Sequence, residues 1–149
     1  MTDISVGDVF YMECSFLEVT KNKYLVLVKT KPNRFFIINS KINKFIESNT
    51  SLLRCQVDVP YLDHSWFLKH DSIADCSDVI DTHSVINDSQ LIFNNLLDYR
   101  VGRLAEYVLG NIVEVLINYN TTLKTKDLKV IISSLNEVLT PTHLKTIAM

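Results

Sequence analysis

The apolar residues of this chain change their spacing near Asp88, and that change limits the possible folds more than any other feature. Before it, they alternate or gather in short β-branched and aromatic runs; after it, they recur every three or four residues. A period of two puts side chains on alternate faces of a strand, whereas a period near 3.6 puts them on one stripe of a helix. The first half therefore reads as a small antiparallel sheet and the second as helices packed on it, an α+β arrangement.

In the first half, Val9–Thr20 and Tyr24–Thr30 are strand-like, and Lys21-Asn22-Lys23 between them is polar enough for a turn. Lys31-Pro32-Asn33 supplies turn residues before the next run, Arg34–Asn39. Leu52–Val59 alternates, with Leu53, Cys55, Val57 and Val59 on one face, and stops at Pro60. Ser72–Cys76 is a further short strand. Five or six short strands with tight connections predict a small barrel or strongly bent sheet over residues 5–85, covered by helices from 88 onward.

In the second half, Val101, Leu104, Val108, Ile112, Val115 and Tyr119 predict a helix over 101–119. Thr125 is placed to cap a second helix with Leu128, Ile131, Leu135 and Val138 on its apolar face. Thr140-Pro141 opens a short terminal helix, and Leu91–Leu97 is one more helical piece. No flexible linker separates the halves, so residues 1–149 read as one domain. The wide apolar stripe of helix 101–119 predicts a homodimer.

Charge excludes some functions. With 15 Lys+Arg against 17 Asp+Glu, the net charge is −2, so no global positive field attracts nucleic acid and any phosphate contact needs a local patch. Three cysteines without a CxxC pair predict free, buried thiols in a reducing cytoplasm. The N-terminus carries no basic segment followed by an apolar run, and Val101–Asn118 is interrupted by Arg103, Glu106 and Glu114. A soluble, cytoplasmic protein that contacts no membrane is expected.

Chemistry concentrates in His64–Cys76, which holds His64, Trp66, His70, Asp71, Ser72, Asp75 and Cys76. The histidine and carboxylate spacing matches no familiar zinc pattern, so neither a metal nor a cofactor is assigned. A hydrolase centred on this segment would use Ser72 or Cys76 beside a histidine. On a strand, Ser72, Ala74 and Cys76 share a face. If Ile73 is the core residue that face points outward, whereas Cys76 as a small hydrophobe would be buried. Asp71 and Ser72 are also common turn formers. Trp66 either packs as a core or lid residue or stacks on a base. Lys29, Lys31 and Arg34 form a basic edge that suits either phosphate or plain solvation of a sheet edge.

Three stretches, Val6-Gly7-Asp8-Val9-Phe10, Tyr24–Val28, and Phe67–Cys76 with Val79–Thr82 after it, resemble the MazF/PemK family of toxin endoribonucleases. The resemblance covers roughly residues 5–117 and implies an SH3-like barrel acting on single-stranded RNA without metal, partnered by an antitoxin. If nucleic-acid chemistry is retained, His70, Asp71 and Ser72 are its candidate catalytic residues, with His70, the side chain best suited to exchange protons near neutral pH, as acid or base held by Asp71. Arg34 or Arg54 would clamp phosphate, and Lys29, Lys31 and Trp66 would bind RNA. The chain departs from the family pattern at Asn22-Lys23-Tyr24-Leu25, where the family has an Arg-Pro pair, and at Cys55, where a hydroxyl is expected. A pentavalent phosphate without its guanidinium loses its main electrostatic stabilisation. The expected function is thus an RNA-acting or RNA-binding protein of toxin–antitoxin or mobile-element type. A non-catalytic protein–protein interaction module and the hydrolase are the alternatives.

Overall fold

A computed structural model describes residues 4–14, 21–81 and 96–140. Six strands form one antiparallel half-barrel: β1 (Asp8–Cys14), β2 (Lys21–Lys29), β3 (Arg34–Asn39), β4 (Gln56–Val59), β5 (Ser72–Asp81) and β6 (Arg100–Arg103). Their order is β4-β5-β3-β2-β1-β6, so β4 and β6 are the edges among the described residues. Two single-turn helices, α1 (Lys44–Glu47) and α2 (Thr50–Leu53), connect β3 to β4. The longer helices α3 (Glu106–Asn118) and α4 (Thr125–Val138) follow the sheet. The chain is thus α+β, as its change of apolar period predicts.

Both faces of the sheet carry apolar side chains. One face, with Val9, Val26, Val28, Phe36, Ile38, Val57, Val59, Ala74 and Cys76, packs beneath α3 and α4. Val108, Leu109, Ile112, Val113 and Leu116 of α3 and Ile131 and Leu135 of α4 meet it, all almost wholly buried. Of the apolar stripe that motivated the homodimer expectation, Leu104, Val108 and Ile112 are buried within the chain, while Val101 and Tyr119 at its ends stay exposed. The opposite face holds a smaller cluster of Phe10, Met12, Cys14, Leu25, Leu27, Phe35 and Ile80, joined by Leu96.

Several boundaries differ from the sequence reading. Lys21-Asn22-Lys23 is not a turn: it pairs with Met12, Glu13 and Cys14 as the start of β2. Ladder hydrogen bonds use only the backbone, so polar side chains on exposed positions do not prevent pairing. Leu52 and Leu53 belong to α2, because the Asn49 side chain accepts from the Leu52 amide and starts a helical turn. β4 consequently begins at Gln56. Val101 lies in β6, whose Gly102 pairs with Val9, and the helix starts only at Glu106. The Val101–Leu104 spacing suits a helix, yet β1 offers this segment a ladder. Thr125 is the first residue of α4 and not its cap. The preceding residue, Lys124, makes no capping hydrogen bond, and the Asn120 side chain instead accepts from the amides of Thr122 and Leu123. The predicted strand residues 15–20 and the helical residues 91–95 and 141–149 lie outside the described residues; Leu96–Tyr99 is a 3-10 turn.

Ion pairs at two places fasten this architecture, one around the buried Asp8 carboxylate and one at the partly buried Arg34–Asp127 contact. Asp8 is 1% exposed; its carboxylate lies 3.2 Å from Arg103 and 3.6 Å from Arg100, and it accepts from the Ser5 amide. Arg34 at the start of β3 donates to Asp127 of α4 at 2.7 Å. No helix among the described residues is long and apolar enough to cross a membrane.

The segment between β4 and β5 folds over the sheet toward β6. A Cβ at Gly102 would fall inside van der Waals distance of Trp66 and Phe67, so β6 and this segment approach as closely as a bare backbone allows. Gly102→Ala is expected to destabilise the protein by about 1–3 kcal/mol through that overlap. Gly110 within α3 has open space where a Cβ would go. Gly110→Ala is expected to stabilise by roughly 0.5–1 kcal/mol, as alanine does in a helix interior. Urea denaturation midpoints of the two variants check both signs.

Candidate functional site

β1, β2 and β3 bring Tyr11, Tyr24 and Ile38 into register across three neighbouring strands. With Leu68 they form the apolar part of a cleft of about 240 Å³, which Lys23, Lys69 and His70 border with polar groups. The Tyr11 and Tyr24 rings are tilted by 43° with centroids 4.5 Å apart, and Tyr11 remains 40% exposed. The Tyr24 hydroxyl donates to the Phe67 carbonyl at 2.9 Å, tying the strand to the β4–β5 segment. Burial, with Tyr11 beside it, pushes that hydroxyl's pKa up. Lys23 donates to the Asn39 side chain at 3.0 Å. Burial, reinforced by Lys21, lowers the pKa of its ammonium. Lys69 and His70 are exposed.

A second hollow of about 460 Å³ adjoins the first and shares Ser40 and Ser72 with it. Ile42, Val59, Pro60 and Ile73 supply its apolar walls, and Lys41, Asp58 and Asp71 also line it. Ser72 thus stands in the partition between the two.

The segment that walls the cleft is held by His64, which is fully buried. Its Nδ1–H donates to the Pro60 carbonyl at 2.7 Å, and its Nε2 accepts from the Ala105 amide at 3.0 Å. This tautomer follows from Ala105 being a donor and Pro60 an acceptor. Asp71 performs a similar local task, accepting from the Tyr61 amide at 2.9 Å. These are turn-forming roles, and they orient Leu68, Lys69 and His70 toward the cleft.

The predicted catalytic group is contiguous, but its side chains do not interact as expected. His70 Nδ1 lies 3.0 Å from the Asp71 backbone oxygen, while the Asp71 carboxylate serves Tyr61. Ser72 is buried and donates to the His70 carbonyl at 3.2 Å. Arg34 and Arg54 are placed elsewhere. Along β3, Asn39 sits opposite Ile73 while Arg34 sits opposite Asp81, so Arg34 is about 17 Å of strand from the cleft end. Arg54 precedes β4 beyond the Gln56–Asp75 pair, whereas Ser72 pairs with Val59 at the other end. Lys29, which donates to the Thr30 carbonyl, and Lys31 share the end of the sheet occupied by Arg34. Trp66, 62% exposed, stands beside Gly102 and is not among the cleft-lining residues.

Of the two placements of the hydrolase nucleophiles, the outward one is not found, and Cys76 is the small buried hydrophobe of the other. Ala74 and Cys76 face the core beneath the helices, Ser72 is buried with them, and Ile73 turns to the other side. Burial, with Asp75 and Cys55 nearby, raises the Cys76 thiol well above its ordinary pKa, which suppresses the nucleophilic thiolate. Asp75 accepts from Gln56 and from Ser77, fastening β4 to β5. Among the described residues, no group of three or more His, Cys, Asp or Glu side chains is gathered to hold a metal ion.

Sequence reasoning did not select Tyr11, Tyr24, Lys23 or Lys69 as site residues. The alternation Tyr11–Glu13 on one strand and Tyr24–Val26 on the next offered a signal, but only their register makes the tyrosines partners. Comparison with protein-family models and with curated proteins finds no match to this chain.

Truncation of the two histidines should differ sharply in its cost. His64→Ala leaves the Ala105 amide and the Pro60 carbonyl unpaired in a dry site and opens a cavity, so a loss of about 2–4 kcal/mol is expected. His70→Ala removes an exposed ring and should change stability by less than about 0.5 kcal/mol. Thermal or urea unfolding of both variants tests the assignment.

Proposed function

We propose that this protein binds single-stranded RNA in the Tyr11–Tyr24 cleft without cutting it. The observation that carries the reading is the half-exposed Tyr11 ring, braced by Tyr24, beside Lys23, Lys69 and His70. An exposed aromatic face accepts a stacked base of any sequence, and neighbouring cationic groups accept the flanking phosphates. With so few cations and a net charge of −2, binding is modest and depends on low salt. The resemblance to MazF/PemK proteins adds RNA as the partner class. Binding without cleavage is supported by the separation of Arg34 and Arg54 from His70 and by the engagement of Asp71 with Tyr61. Neither a phosphate clamp nor an oriented acid–base pair meets at Ser72.

Fluorescence anisotropy with a labelled mixed-sequence RNA tests this proposal. Tyr11→Ala should weaken binding by about 1–3 kcal/mol, the contribution of one stacked base. Lys69→Ala should reduce the salt slope by roughly 0.7, the value of one phosphate contact on a single strand. Arg54→Ala should leave affinity unchanged. Absence of binding by the wild-type protein at low salt, or equal affinities for all variants, overturns the reading.

A specific observation favours a second reading, a protein partner of antitoxin type. Leu62 is 85% exposed and Trp66 62% exposed on one short segment, with Tyr61 and Tyr107 also partly exposed. Large apolar side chains shown together to solvent are common anchors of protein interfaces. On this reading Trp66→Ala would weaken partner binding by about 2 kcal/mol or more, and Tyr11→Ala would have no effect on it. Calorimetric titration against a candidate partner separates these outcomes.

A further inference from the structure

Cys55, in the turn that leads into β4, stands opposite Cys76 of β5. The β4–β5 register pairs Gln56 with Asp75 and Val57 with Ala74, and its continuation by one residue pairs the two cysteines. The Cys76 amide donates to the Cys55 carbonyl at 3.0 Å, so one of the two bonds of a ladder pair reaches this position, while the Cys55 amide turns to the Leu52 carbonyl. Both side chains belong to the same core cluster, where the Cys55 thiol donates to the Ser51 carbonyl at 3.4 Å and the Cys76 thiol to the Ala74 carbonyl at 3.8 Å. Opposed residues on the hydrogen-bonded positions of an antiparallel pair have Cα atoms about 5.5 Å apart, inside the roughly 4.4–6.8 Å span of disulfides. Cys14 lies in the other cluster, on the opposite face of the sheet.

We propose that Cys55 and Cys76 form an intramolecular disulfide when the chain meets a small-molecule disulfide oxidant. This modification site is independent of the RNA reading. One cysteine thiolate attacks the oxidant, forming a mixed disulfide and releasing one small thiol. The other cysteine thiolate then displaces the second small thiol, closing the Cys55–Cys76 bond. Two protein thiols are oxidised, one small disulfide is reduced to two thiols, and the two protons are carried off on those thiols.

Access sets the rate. Both cysteines are fully buried, and burial raises both thiols, so attack waits for local opening. Opening is easiest at the edge of the sheet. β4 is an edge strand of only four residues, and the Cys55 amide is held by Leu52 of the single-turn helix α2 and not by β5. On the other side, Asn120 and Thr122 donate to the carbonyls of Cys76 and Ser77, holding β5 to the α3–α4 connection. Movement of β4 away from a fixed β5 exposes the pair, and oxidation on reclosure pins the edge strand covalently.

The test incubates the full-length protein with glutathione disulfide under native conditions, quenches with N-ethylmaleimide and maps unreduced peptides by mass spectrometry. The expected product is a single cross-linked species joining the Cys55 and Cys76 peptides, lighter by about 2 Da than the sum of its parts. It should be reversed by dithiothreitol, with Cys14 alkylated. Its rate should rise in sub-denaturing urea, as opening becomes more frequent. Cys14→Ala should keep the cross-link and Cys55→Ala should lose it. If Cys55→Ala fails to fold, the wild-type peptide map decides alone. Cross-links that involve Cys14 to a comparable extent, glutathione adducts on Cys55 or Cys76 that never resolve, or no cross-link at any oxidant ratio would overturn the proposal.

Discussion

Both ring nitrogens of the buried His64 imidazole are engaged, and much of the molecule's usable surface depends on that arrangement. One bond closes the turn after β4 on the Pro60 carbonyl; the other holds the Ala105 amide at the point where β6 gives way to α3. The segment carrying Trp66, Phe67, Leu68, Lys69 and His70 is thereby fixed between the sheet and the helical layer. An imidazole suits this place because it can donate to a carbonyl on one side and accept from an amide on the other within one small ring. The Tyr24 hydroxyl on Phe67 and the bare backbone of Gly102 complete the closure. Each leaves a buried polar group satisfied or a close approach unobstructed, the condition for irregular backbone to lie against a core.

Many polar groups of this chain are engaged in holding its own structure. Arg34 lies at one end of the sheet and His70, Asp71 and Ser72 at the other, and most carboxylates between them hold neighbouring groups. Arg34 spends its guanidinium on Asp127, Asp71 spends its carboxylate on Tyr61, and Asp75 holds Gln56 and Ser77. Catalysis would require several of these groups to meet near one reacting atom. What remains beside the cleft is an aromatic face with lysines and a histidine, suited to a flat, anionic ligand.

Burial of both sheet faces has consequences for the cysteines. A small sheet with apolar clusters above and below distributes its thiols between two dry compartments, Cys14 in one and Cys55 with Cys76 in the other. Burial pushes the Cys14 thiol up to about 11. All three are therefore protected in the closed protein. Cys55 and Cys76 share one compartment and are joined through a backbone hydrogen bond, whereas Cys14 lies in the other.

Much of the fold was legible in the chain because hydrophobic period is a local property. The runs around Tyr24–Val28 and Arg34–Asn39, the alternation through Val57 and Val59, and the stripes Val108–Leu116 and Leu128–Leu135 each declare their element without knowledge of neighbours. Where a local pattern admits two answers, tertiary partners chose. Val101 and Leu104 fit a helix until β1 supplies a ladder to Arg100–Arg103, and Lys21–Lys23 fits a turn until Met12–Cys14 pairs with it. The candidate site was less legible still. His70, Asp71 and Ser72 are neighbours in sequence, but Tyr11, Tyr24 and Ile38 become neighbours only through strand register, and His64 reveals its role only when Ala105 arrives from the far half of the chain. Sequence alone determined which residues prefer strand or helix, since that depends on residues a few positions apart. The cleft, the buried histidine and the cysteine pair were decided by the tertiary structure, since each depends on contacts between segments whose spacing along the chain encodes nothing of their meeting.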